Sequence, residues 1–351
     1  MRARECGIRI GILEPGARNA ITDLAGVAVG HANHDADHTG VTVIVPRVGD
    51  DHWLYPYPAG CARLNGSGEI AGLAQVEEWG IAETPIFLTG TSYVGAVYDA
   101  ATQVLSDAQP RIGRVDVLIP VVAECDPSSY CDVRKGQRPD AGLVAAALAA
   151  ASAGAVAEGQ IGAGVGMSCF DVAAGIGTAS RIAGASTVGV LVLANFGTGD
   201  GARLTVAGHA VGDLLPPVDG KGSEGSCVCV VATDAPLLPS QLERLARRSF
   251  LGLARLGSYG ANGSGEIAIA FSTANRDAFA RDDPAERRTL EMLVNDALSP
   301  LFAACVEASE EAVLNALFAG RPLAGAVGRA LPGFPAHAVR LRVAAGAWAP
   351  G

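Results

Sequence analysis

The sequence is short of aromatic residues and of charge, at 5% and 18% of its 351 positions. No sustained basic run interrupts a formal charge of -10, which argues against a nucleic-acid surface or a polybasic membrane anchor. The start, "MRARECGIRIGILEPG", has early positive charge but never develops a long apolar stretch, so it does not read as a secretory signal. The most apolar segment, "DAGLVAAALAAASAGAVAEG", has the Ala and Gly content and the flanking charges of a buried helix rather than a membrane span. Eight cysteines (Cys6, Cys61, Cys125, Cys131, Cys169, Cys227, Cys229 and Cys305) include no C-x-x-C pair. They read as reduced, mostly buried thiols of a cytoplasmic protein.

Motifs for several chemistries are also missing. "GQIGAGVGM" and "GIGTASRIAG" are glycine-dense, yet neither forms a dinucleotide fingerprint or a P-loop. No serine sits in a G-x-S-x-G elbow. "HANHDADH" gathers His31, His34 and His38 near Asp35 and Asp37, but the spacing matches no standard ligand signature. It reads as a polar hairpin loop, and neither metal nor cofactor is expected.

What is abundant is small apolar material: 49% of the chain is hydrophobic, which suits a large core of close-packed small side chains. Strand-like runs fall at Val41 to Val45, Val115 to Val122, Thr187 to Leu193, Val228 to Ala232 and Ile267 to Phe271. Helices are expected over Ser92 to Leu105, Asp140 to Val156, Pro284 to Leu298 and Pro300 to Phe318. Another should start at a Ser240/Glu243 capping box and stop at Gly257. This alternation predicts an α/β or layered α+β domain with a sizeable sheet.

The hexapeptide "NGSGEI" occurs twice, at Asn65 to Ile70 and at Asn262 to Ile267. After the first copy Ile70, Leu73 and Val76 recur at helical spacing, so Asn65 or Ser67 is expected to cap a helix. The second copy runs into strand-patterned "AIAFSTAN". Replacing Ser67 should on this reading cost stability more than turnover.

The turn-forming loop "PPVDGKGSEGS" delivers Ser226 to the mouth of the buried strand "CVCVVAT". A serine after glycine, opening a strand, is what a self-cleaving N-terminal-nucleophile hydrolase needs. Attack of the Ser226 hydroxyl on the Gly225 carbonyl gives an ester that water hydrolyses, and Gly225 permits the tight backbone such attack requires. The freed α-amine, with a pKa near ~8, is a competent general base for its own hydroxyl. On composition alone, Gly225-Ser226 reads more readily as loop punctuation before a strand.

Across nearly its whole length the chain resembles the L-aminopeptidase D-amidase/D-esterase family, which includes the β-peptidyl aminopeptidases and, more remotely, nylon-oligomer hydrolases. The resemblance rests on "GIRIGILEPGARNAITDLAGVAVGH", "TGVTVIVP", "LNGSGEIAGL", "GQIGAGVGMSCFDVAAGIGTASR", "VGVLVLANFG", "EGSCVCVVATDAPLLPSQLERLARR" and "NGSGEIAIAFSTAN", in that order. It implies an α+β fold, a four-layer αββα sandwich like that of N-terminal-nucleophile hydrolases. It also implies one domain, 1–351, self-processed into an α piece (1–225) and a β piece (226–351), assembled as a homo-oligomer of processed heterodimers.

The resemblance implies that Ser226 is the nucleophile, freed by autoproteolysis after Gly225, and that Ser264 and Glu266 orient and protonate its surroundings. Strand periodicity lets Ser264 and Glu266 share a face toward Ser226 while Ile267, Ile269 and Phe271 face the core. Asn195, in "LANFG", matches an asparagine donating to the oxyanion. Glu124, in "PVVAECDPSSYCD", matches a carboxylate that could pair with the substrate's ammonium group, and Asp126 beside it is a substrate-binding candidate. The chain departs from the family pattern at Asp126-Pro127, at Tyr130-Cys131-Asp132 and at Thr89-Gly90-Thr91, positions that would line the substrate pocket. The implied activity is removal of the N-terminal residue from short peptides, amino amides or esters. Two alternatives stay open: an amidase for non-peptide or ω-amino acid oligomers, and an unprocessed small-molecule-binding relative.

Overall fold

Val- and Ile-rich segments with small neighbours build two stacked sheets. The computed structural model describes residues 1–34, 39–217, 225–325 and 328–346. Strands β1 (Ala28–His34) and β2 (Thr39–Val45) pair antiparallel. Then come β3 (Tyr57–Asn65), β4 (Ile70–Ala71), helix α1 (Leu73–Trp79), β5 (Ile81–Ala82) and β6 (Ile86–Gly90). Helix α2 (Val94–Ala108) leads to β7 (Val121–Cys125) and α3 (Ala141–Ala149). A small hairpin of β8 (Ser168–Cys169) and β9 (Val172–Ala173) precedes the long pair β10 (Gly175–Ala183) and β11 (Ser186–Phe196). After a second small hairpin, β12 (Thr205–Val206) with β13 (His209–Ala210), come β14 (Gly225–Thr233), α4 (Pro239–Arg255), β15 (Gly265–Ser272) and α5 (Ser299–Ala319).

One sheet has five strands in the order β1-β2-β6-β7-β4, the other six in the order β10-β11-β14-β15-β3-β5. Alternate residues explain the stacking. Leu191, Leu193, Val228, Val230, Ile267 and Ile269 from the larger sheet meet Val29, Ile44, Leu88 and Ala123 from the smaller one. The opposite face of the larger sheet, with Val190, Cys229 and Ala268, packs on Leu242, Leu245 and Leu314 of α4 and α5. Val43, Phe87 and Val122 of the smaller sheet pack on Val97 of α2 and Val144 of α3. The result is the expected four-layer αββα sandwich of α+β class.

Helix α5 is buried nearly throughout, including its acidic residues Glu307, Glu310 and Glu311. Burial of carboxylates requires partners. Arg181, fully buried on β10, binds Glu307 and Glu311, while Arg4 binds Glu311 and Arg255 binds Glu310. The N-terminal segment is thereby pinned to a helix about 300 residues away.

Several expected elements differ. The strand expected over Val115 to Val122 begins only at Val121, because Pro120 cannot donate to a ladder, and Val115 and Val117 are 65% and 62% exposed. The helix expected to reach Val156 stops at Ala149, since Ser152 instead bonds with Val29 of β1. Over Pro284 to Leu298 only a 3-10 turn, Asn295–Leu298, forms. There tertiary bonds hold an extended strap: Leu293 N donates to Pro236 O, and Glu291 exchanges main-chain bonds with the Asn275 amide. Helix α4 starts at Pro239, and its N-terminus is capped by Gln241, whose Oε1 accepts from Leu238 N at 3.0 Å. The expected Ser240/Glu243 box is therefore displaced, and Glu243 pairs with Arg247.

All eight cysteines are free and buried. Among the described residues no helix is long and apolar enough to cross a membrane.

Candidate active site

Gly225 and Ser226 open β14, between β11 and β15. Ser226 faces Asn195 across the antiparallel ladder with β11 and Gly265 across the parallel ladder with β15. Residues opposite one another in a ladder put their side chains on one face, so Ser226 and Asn195 both point into the layer between the sheets. Gly225 has φ +81°, and a Cβ on it would overlap the Asn195 carbonyl oxygen. Only glycine fits there, for reasons of both dihedral angle and space.

The Ser226 hydroxyl is buried and held by main chain from two directions. Gly265 N donates to Oγ at 3.3 Å, and Oγ donates to the Ser67 carbonyl at 3.5 Å. Both bonds come from the repeated hexapeptide, one from each copy. Close contact makes this possible: a Cβ on Gly265 would overlap the Ser67 carbonyl oxygen.

Asn195 is fixed by two bonds that also settle its amide orientation. Its Oδ1 accepts from Ser168 N at 2.9 Å, and its Nδ2 donates to the Asp126 carbonyl at 2.9 Å. An amide NH2 carries two hydrogens, so one is left over from these bonds.

Ser264 donates to Glu266 Oε1, and both side chains are buried. They share a face as strand periodicity predicts. However, Glu266 is in register with Cys227 and follows the alternation of Ala268 and Ala270, which face the helical layer. The pair therefore lies on the sheet face opposite the Ser226 hydroxyl, and the group between them, Gly265 N–H, is what reaches Oγ. Burial raises the Glu266 pKa more than the Ser264 bond lowers it, and Glu266 Oε2 has no hydrogen-bond partner among the described residues.

Glu124, at the end of β7, is 3% exposed and pairs with no cation among the described residues. It accepts from Glu69 N at 2.8 Å and from the Thr91 hydroxyl. Burial nevertheless pushes its pKa above the ordinary carboxylate value. Asp126 turns its carboxylate onto Ser128 N and Oγ, at 2.9 and 2.6 Å, and its main-chain carbonyl orients Asn195.

The first "NGSGEI" copy is not a helix cap. Asn65 ends β3, and α1 starts later, at Leu73, after Gly72. Asn65 instead binds the second copy, while the Ser67 side chain is exposed. Sequence reasoning placed Thr91 at the pocket but missed the roles of Asn65, the Ser67 carbonyl and Ser168; the exact repeat was the one signal that could have found the first two.

His31 Nδ1 lies 2.9 Å from Thr42 Oγ1, and burial lowers its pKa to about 4. No group of metal-holding side chains occurs among the described residues. Asp35, Asp37 and His38 lie outside them, as do residues 218–224 of the loop before Gly225. A cleft of about 610 Å³ along the free edge of β3, lined by Arg63, Trp79 and Glu243, contains none of the residues just described. A small recess formed by Phe170, Gly197, Asp200 and Tyr259 adjoins Ser264.

Two sheets between helical layers, with a Gly-Ser pair opening a central strand, define a serine-type peptidase of the N-terminal-nucleophile hydrolase fold. The chain belongs to peptidase family S58, which matches residues 19–331. It is 38% identical to the beta-peptidyl aminopeptidase BapA of Sphingosinicella microcystinivorans, over 95% of this chain and 89% of that one. Among solved structures, a Burkholderia sp. beta-aminopeptidase is 42% identical with a TM-score of 0.91, covering 100% of both chains. The L-aminopeptidase D-Ala-esterase/amidase of Ochrobactrum anthropi is 33% identical with a TM-score of 0.88, covering 99% of each chain. That enzyme is described as a prototype for the serine aminopeptidases and a variant of the Ntn hydrolase fold.

Proposed function

We propose that this peptidase is a self-cleaving aminopeptidase and amidase that removes the N-terminal residue from short peptides, amino amides or esters through Ser226. The observation that carries the reading is the Gly225-Ser226 junction: a positive-φ glycine with no room for a side chain, followed by a buried hydroxyl beside Asn195. The names of its relatives, beta-peptidyl aminopeptidase and L-aminopeptidase, support the exopeptidase assignment.

In self-cleavage the Ser226 oxygen bonds to the Gly225 carbonyl carbon, the Gly225–Ser226 C–N bond breaks, and the nitrogen takes the hydroxyl proton. Water then hydrolyses the ester, leaving a carboxylate on Gly225 and a free amine on Ser226. In turnover that amine takes the proton as Ser226 attacks the substrate carbonyl, and the spare Asn195 amide hydrogen meets the developing oxyanion. The scissile bond breaks as the proton passes to the leaving amine or alcohol, and water hydrolyses the acyl-enzyme ester to release the acid and restore the Ser226 hydroxyl. Ser264 and Glu266 flank Gly265, the ladder partner of Ser226, on the face away from its hydroxyl. We assign them to the α-amine rather than the hydroxyl: the unpartnered Glu266 oxygen is an acceptor for the new cation. Glu124 receives the substrate's ammonium group, for which its buried carboxylate has no competing cation among the described residues. The proposal includes assembly of the 1–225 and 226–351 pieces as a homo-oligomer of heterodimers, and a cytoplasmic location consistent with the free thiols. It requires neither cofactor nor metal.

Intact mass of the purified protein tests this directly. Two species ending at Gly225 and beginning at Ser226 are expected from wild type, and one full-length species from Ser226→Ala. Full-length wild type that still hydrolyses amino p-nitroanilides would overturn it.

A further inference from the structure

The two hexapeptide copies meet through one side chain. Asn65 Nδ2 donates to the carbonyls of Ala261, Asn262 and Ser264 at 2.8, 3.0 and 2.6 Å. Two amide hydrogens serve three acceptors, so one is shared. The Ser264 carbonyl belongs to the same planar peptide unit as the Gly265 N–H. Fixing that oxygen fixes the direction of the N–H, which points at Ser226 Oγ. Two residues past Asn65, the Ser67 carbonyl accepts from the same Oγ.

We propose that Asn65 is a positioning residue for the nucleophile: its amide sets the Ser264–Gly265 peptide plane, so that Gly265 N–H and Ser67 C=O hold the Ser226 hydroxyl between them. This rests on Ser226 being the nucleophile. The two hexapeptide copies contribute different groups to Oγ, the first an acceptor and the second a donor. The device spans the cut, since Asn65 lies in 1–225 and Ser264 in 226–351.

The test is Asn65→Ala, assayed for self-cleavage rate, kcat and KM well below its melting temperature. A nucleophile shifted by a fraction of an ångström loses about 10- to 100-fold in kcat and in cleavage rate, with KM within about twofold of wild type. Wild-type kcat per folded, cleaved molecule, with only a lowered melting temperature, would make Asn65 structural and overturn the proposal. Asn65→Asp carries the same comparison should the alanine variant not fold. It sets a carboxylate against three carbonyl oxygens, so its deficit should be largest at neutral pH and shrink toward acid, where the protonated acid regains a donor. A deficit independent of pH, or none, would also overturn the proposal. Failure of the nucleophile reading would look different, as wild type that remains a single chain.

Discussion

Gly225 lies so close to Asn195 that a Cβ on it would overlap the Asn195 carbonyl oxygen. Gly225→Ala must therefore push β14 away from β11 and also adopt a left-handed φ, which costs an L-residue about 1–2 kcal/mol before any clash is counted. The variant is expected to accumulate as the uncut chain, seen as a single band on a denaturing gel. Cleavage at the wild-type rate would show that the junction geometry is unimportant.

Asn195, the ladder neighbour of Ser226, has its amide orientation locked by Ser168 and Asp126 and one amide hydrogen left over from those bonds. Asn195→Ala should reduce kcat by about 100- to 1,000-fold, the range for removing one oxyanion donor, with a much smaller change in KM. Steady-state kinetics with an amino p-nitroanilide would decide it: a change confined to KM would remove Asn195 from the transition state.

For Glu124, burial raises the pKa and outweighs the Thr91 and Glu69 hydrogen bonds that lower it. A raised carboxyl pKa means the folded state holds its proton more tightly than the unfolded chain does. The stability this group contributes is complete below the unfolded value and is lost as pH rises through the folded one. Glu124→Gln cannot ionise, so its melting temperature should climb relative to wild type as pH rises from ~4 toward neutrality. The same variant should raise KM for substrates with a free amine by about tenfold or more, through the lost charge-assisted bond. A melting-temperature gap that does not change with pH would contradict the first expectation, and an unchanged KM the second.

Arg181 is fully buried between Glu307 and Glu311. Arg181→Met leaves both carboxylates without their central cation, and breaking such a buried pair costs about 3–5 kcal/mol. Chemical denaturation should show a loss of that size; a change under about 1 kcal/mol would mean that Arg4 and Arg255 neutralise the cluster without it.

Strands β2, β11, β14 and β15 and helices α2, α4 and α5 were legible in the sequence because period-2 and period-3.6 patterns report local burial, whereas β1, β3, β6 and β10 were not among the expected strands. The Gly225-Ser226 junction was legible too, since glycine before a hydroxyl at a strand mouth is a local arrangement. Local pattern failed where distant partners decide the backbone. Residues 284–294 look helical but are drawn out by bonds to Pro236, Gln241 and Asn275. Asn65 looks like a cap and ends a strand instead, because β15 pairs with β3 beside it.

The sequence by itself determined which strand Ser226 opens, that a glycine precedes it, and that Asn195, Ser264 and Glu266 belong to strand ends or starts; that only glycine fits at 225 was decided by the approach of the Asn195 carbonyl. The tertiary structure alone decided which groups touch the Ser226 hydroxyl. Strand register sets the face on which each side chain emerges, and register is fixed by partners far away in sequence. Thus Glu266, two residues from Ser264 in the chain, turns away from Oγ, while the carbonyl of Ser67, 159 residues from Ser226, lies against it.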